Sequence, residues 1–83
     1  MSLRSNIKNI LGILHKAIAQ TPLDKQQMLV KKIDRIVEKY EGKNNNTEPA
    51  YLRELEFNLN FIKLSFPKLD YAPPQQPQPK QST

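Results

Sequence analysis

The first periodicity along the chain is helical. Leu3, Ile7, Ile10, Leu14 and Ala17 recur at alternating steps of four and three residues. Leu11, Ile13 and Ile18 widen this stripe to an arc of about 160° at 100° per residue. Arg4, Lys8 and His15 fall on the other side, with Gly12 and Ala19 beside them and Lys16 a little further round. The spacing predicts an amphipathic helix over residues 3–20 with a broad buried face. A glycine in mid-helix costs roughly 1 kcal/mol relative to alanine, so Gly12 marks either a close backbone approach or a tolerated position on the solvent face.

A second helical pattern sorts into three sectors. Leu29, Val30, Ile33, Ile36, Val37 and Tyr40 make the apolar arc, and Asp34, Glu38 and Glu41 an acidic edge. Lys25, Lys31, Lys32, Arg35 and Lys39 make a basic ridge, with Met28 projecting from its middle. Lys25, Lys32 and Lys39 are seven residues apart, which lines them up almost along the axis of a helix spanning 22–41.

The third pattern, from Thr47 to Phe66, reads in two ways. At helical spacing Glu48, Leu52, Leu55, Leu59, Ile62 and Phe66 lie on one narrow stripe. At period two, Leu55, Phe57, Leu59 and Phe61 alternate with Glu56, Asn58 and Asn60, the pattern of a half-buried strand. The entrance decides for a helix over 48–66: Thr47 can cap, Glu48 suits the positive end, and Pro49 is tolerated in the first turn. A strand would need a pairing edge that the two preceding segments do not supply, so that reading survives only if a second copy of the chain provides it.

The punctuation agrees with three helices. Thr21 is placed to cap the second helix, with Pro22 at its first position and Asp24 where a capping-box acid would stand. So short a connection turns the chain through a tight corner. Gly42 is a C-terminal stop, and residues 43–46 (KNNN) form a polar reversal. Pro67 ends the third helix, after which Leu69 and Tyr71 can fold back as an anchor. From Ala72 onward proline and glutamine leave nothing apolar to bury, so 72–83 is expected to be a disordered tail, partly polyproline II, or the start of a linker. Pro74-Gln75-Gln76-Pro77 matches a proline-ligand pattern without a basic specificity position. The fold class expected is therefore all-α, a compact three-helix bundle within residues 1–71.

Size makes such a core marginal. In 83 residues without cysteine, neither a disulfide nor a cysteine-based zinc site can supplement it, so a partner or a second copy would help. Thirteen Lys and Arg against eight Asp and Glu give a net charge of +5, which favours an anionic partner without choosing among nucleic acid, a membrane surface and an acidic protein. No apolar run is long enough to span a membrane. Residues 1–23 lack acids and outline a targeting segment, but they hold one arginine and few serines and carry about a third of the apolar core. The expected location is intracellular, in the cytoplasm.

Candidate chemistry is thin. One histidine, no cysteine, no glycine-rich phosphate loop and no metal-spaced carboxylates argue against an enzyme and imply no cofactor or metal. The surfaces left over are more informative. If Leu52, Leu55, Leu59, Ile62 and Phe66 face the core, then Ala50, Phe57, Phe61 and Leu64 lie about 120–180° away, and two apolar stripes on one helix exceed what three helices can bury. That face is expected to bind a protein partner or a second copy of the chain, unless asymmetric packing or Leu69 and Tyr71 cover it. Lys25, Lys31, Lys32, Arg35 and Lys39 of the second helix, with Arg4 and Lys8 of the first, would steer an acidic partner. In the alternative, the same cations follow a phosphate backbone, although the third helix offers only Arg53 and Lys63 for base readout among Glu48, Glu54 and Glu56.

Overall fold

The computed structural model describes residues 3–42 and 45–73. Three helices make the fold: α1 (Leu3–Ile18), α2 (Leu23–Tyr40) and α3 (Glu48–Ser65), with a 3-10 turn at Asn45–Thr47 leading into α3. The expected ends agree to within two residues, the usual scatter of helix termini. No strand occurs among the described residues, so 54–65 is helix with Phe66 as its C-cap, and the strand-like alternation is a by-product of two apolar stripes on one cylinder.

Long-range contacts fix the directions. Arg4 at the start of α1 meets Glu41 at the end of α2, while Lys39 and Lys32 of α2 meet Glu54 and Phe61 of α3 in reverse order. Neighbouring helices are therefore antiparallel, and α1 and α3 run parallel and share the most extensive helix interface. The core takes Ile7, Leu14, Ala17 and Ile18 from α1, Leu29, Ile33 and Ile36 from α2, and Tyr51, Leu55, Leu59 and Ile62 from α3. Val30, expected in the α2 arc, is exposed instead, because it lies about 100° round the helix from Leu29. Ile10, Leu11, Ile13, Val37 and Tyr40 pack against the core while half-buried.

The corner between α1 and α2 differs in detail from the capping expected. Pro22, not Thr21, is the residue preceding α2, and no side chain caps that end. Thr21 is buried, and its hydroxyl donates to the carbonyl of Ile18 at 2.7 Å, so it satisfies the last turn of α1. Gln26 reaches back to donate to the Ala19 carbonyl at 3.1 Å, which ties the first turn of α2 to the same corner. At the far end of α2, Gly42 takes φ +84, the left-handed conformation glycine adopts without strain. Lys43 and Asn44 of the polar reversal lie outside the described residues.

The chain beyond α3 does fold back. Leu69 and Tyr71 pack half-buried against the core, and the Tyr71 hydroxyl donates to the carbonyls of Phe66 and Ile62. Gln20 holds this segment with two bonds of 3.0 Å, donating to the Asp70 carbonyl and accepting the Asp70 amide. Lys16 adds an ion pair to Asp70 at 3.1 Å and a bond to the Ala72 carbonyl at 3.2 Å. The greater part of the expected tail, 74–83, lies outside the described residues.

Candidate docking surface

The outer face of α3 carries the apolar stripe anticipated from its spacing. Phe57 is 73% exposed, Phe61 47% and Leu64 83%, with Ala50 exposed at the start of the same face. Neither Leu69 nor Tyr71 shields the rings, because both are engaged at the end of α3 beside Ile62 and Phe66. Ala50, Phe57 and Leu64 are seven residues apart, which makes the stripe a nearly straight line of about 21 Å at 1.5 Å per residue.

One edge of the stripe is built by α2. The Lys32 ammonium lies 4.9 Å from the centroid of the Phe61 ring, close enough for a cation–π contact. One heptad away on both helices, Lys39 pairs with Glu54 at 2.9 Å. Two such contacts fix the antiparallel register, 32 opposite 61 and 39 opposite 54, so the lysine ridge runs along the apolar stripe rather than on a separate surface. Met28, 54% exposed and one turn from Lys32, adds apolar area on that side, and with Lys31, Lys32 and Arg35 it lines a shallow depression.

The predicted cations separate into two groups. Lys25, Lys31, Lys32 and Arg35 are exposed, and among the described residues none forms an ion pair. Arg4 and Lys39 are exposed as well, but each pairs within the chain: Arg4 donates to both carboxylate oxygens of Glu41, at 2.9 and 3.3 Å, and Lys39 holds Glu54. Lys8 is exposed on α1, and no described contact links it to the α2 ridge.

The two glutamates belong to a clamp that closes one end of the bundle. Tyr51 donates to Glu41 at 2.8 Å and Tyr40 donates to Glu54, while the two rings stack. Hydrogen bonds from Arg4 and then Tyr51 hold the Glu41 carboxyl below its ordinary range, and bonds from Tyr40 and then Lys39 do the same for Glu54. Burial, followed by its bond to Glu41, pushes the Tyr51 hydroxyl up to about 12. Sequence reasoning left Tyr51 out of the core, although it is among the largest fully buried side chains. Its four-residue step to Leu55 and on to Leu59 and Ile62 was the available signal, masked by the cleaner stripe through Leu52.

No group of three or more His, Cys, Asp or Glu among the described residues is arranged to hold a metal ion, and His15 is exposed on α1. Among the same residues no helix is long and apolar enough to cross a membrane. Comparison of the chain with protein-family models, with curated proteins and with solved structures gives no match.

Proposed function

We propose that the chain is a small non-enzymatic protein-interaction module, an adaptor or regulatory subunit, that docks an acidic protein partner through Ala50, Phe57, Phe61 and Leu64 on α3. The observation that carries the reading is the exposure of Phe57 at 73% and Leu64 at 83% on a helix whose opposite face already fills the core. Large apolar side chains gathered in a line on a surface are characteristic of interaction sites. The adjoining exposed cations of α2 supply charge for steering. The binding role proposed is an intracellular, cytoplasmic one.

A retention experiment tests this reading. Wild-type protein and a Phe57→Ser/Phe61→Ser variant are immobilised and exposed to extract from the source cells, and each retained protein is then purified and titrated by calorimetry. A partner that binds the wild type in purified form and loses at least tenfold affinity for the variant supports the proposal. Equal binding to both forms by every retained partner overturns it.

The alternative, nucleic-acid binding through the basic faces, draws on Lys25, Lys31, Lys32 and Arg35 of α2, which form no ion pair among the described residues. The commitment of Arg4 and Lys39 to glutamates leaves it fewer phosphate contacts. Failure to bind generic DNA or RNA at low salt would remove it.

A further inference from the structure

The docking surface has a shape as well as a chemistry, and resting on the reading above we infer that its occupant is one acidic amphipathic helix, which lies along the α2–α3 seam as a fourth helix. The line formed by Ala50, Phe57 and Leu64, with Phe61 beside it, has the heptad spacing by which one helix packs against another. At about 21 Å it offers the length of a helix of about four turns. With Leu55, Leu59 and Ile62 buried on one side and this stripe on the other, α3 has the two faces of a helix that packs against neighbours on both sides.

Charge selects the occupant. Taking about 200 Å² for a fully exposed large side chain, the exposures of Phe57, Phe61 and Leu64 sum to roughly 400 Å². A stable interface buries about 800 Å² on each partner. The footprint must therefore extend over the neighbouring ridge, where Lys25, Lys31, Lys32 and Arg35 form no ion pair among the described residues. A second copy of this chain brings the same ridge and a net charge of +5 to that border, whereas a helix with glutamates flanking its apolar seam satisfies it. The contact of Lys32 with Phe61 places a cation at the rim of the apolar line, where a flanking carboxylate would meet it.

The probe is an acetylated, amidated peptide of about 18 residues, with leucine at heptad positions a and d and glutamate at e and g. Its twin carries lysine in place of every glutamate. The expected result is saturable binding of the glutamate peptide, with amide shift changes centred on Ala50, Phe57, Phe61, Leu64 and Met28. Affinity should fall at least tenfold for Phe57→Ser/Phe61→Ser, for Lys32→Glu/Arg35→Glu, and for the lysine twin. Circular dichroism checks each variant, and Leu64→Ser replaces the double variant if that one unfolds.

Equal binding of the twin, shift changes centred elsewhere, or no binding of either peptide overturns the inference while leaving the docking face to the retention experiment. Sedimentation of the protein alone as a dimer that Phe57→Ser/Phe61→Ser dissociates also overturns it, and identifies a second copy as the occupant. A 20-base oligonucleotide that binds through Lys32 and Arg35 but ignores the phenylalanines overturns both the inference and the docking reading.

Discussion

Tyr40 and Tyr51 lie ring to ring, with centroids 5.0 Å apart and planes 13° from parallel, and their hydroxyls donate in opposite senses across the α2–α3 junction. Tyr40 of α2 donates to Glu54 of α3, and Tyr51 of α3 donates to Glu41 just past α2. Arg4 grips Glu41 from α1, so one group of side chains ties all three helices at the end where α1 begins and α2 stops. A polar network of this kind is favourable because each carboxylate is met by both a cation and a hydroxyl, and no buried side-chain polar atom among the described residues lacks a partner.

Removing only the hydroxyl isolates the polar part of the clamp. Tyr51→Phe keeps the stack but takes one donor from Glu41, and is expected to cost about 1–2 kcal/mol in urea unfolding at neutral pH. Tyr51→Ala also removes the buried ring and should cost about 3–5 kcal/mol. Equal losses for the two variants would mean that the ring contributes nothing.

The shifted groups predict stability limits on both the acid and the alkaline side. Glu41 and Glu54 are held low in the folded state, so their contribution is complete above the unfolded value of about 4.3 and disappears as pH falls through the lower folded value. Tyr51 is raised to about 12. Its contribution is complete below the unfolded tyrosine value of about 10 and is lost as pH climbs from there toward 12. Melting temperature against pH should show a plateau between about 5 and 9.5 that falls on both sides, and Glu54→Gln should flatten the acid limb. In the folded protein, ultraviolet titration should show Tyr51 ionising well above free tyrosine.

Core and surface apolar positions on α3 should respond unequally to truncation. Phe57→Ser, at a ring 73% exposed, is expected to change stability by about 0.5 kcal/mol or less. Leu55→Ala, at a fully buried position, should cost about 2–5 kcal/mol. Thermal melts of the two variants side by side test this, and unfolding of Phe57→Ser would place its ring in the core.

At the α2 stop, Gly42 holds φ +84 and a β-carbon added there would meet no atom within 4 Å, so the cost of a side chain is conformational and not steric crowding. Gly42→Ala should destabilise by about 1 kcal/mol and Gly42→Asn by less, since asparagine tolerates the left-handed region better. Chemical denaturation of the pair gives the order directly.

The latch at the other end is open to hydrogen exchange. Gln20→Ala removes both bonds to the Asp70 backbone, and amide exchange at Asp70 should accelerate at least tenfold while the helices keep their protection. Unchanged exchange would mean that Lys16 and Tyr71 hold the segment without it.

Much of this protein was legible in its sequence, because local rules govern the features concerned. The 3.6-residue periodicities of α1 and α2, the glycine stop at Gly42 and the proline after Phe66 each depend on a few neighbouring residues. The outer stripe of α3 followed from the same arithmetic, since whatever lies opposite a buried face must be left over. Thr21 shows where local rules stop: its hydroxyl could serve the helix before it or the one after, and the packing of the corner chose the former.

By itself the sequence determined three helices, their approximate limits and the presence of surplus apolar and basic surface. Only the tertiary structure decided that Arg4 and Lys39 pair with glutamates of the same chain, that Tyr51 is core, that Val30 is not, and that the α2 ridge borders the α3 stripe at Lys32 and Phe61. Periodicity gives a side chain's angle round its own helix. Which neighbouring helix stands at that angle, and at what register, is set by packing between segments distant in the chain.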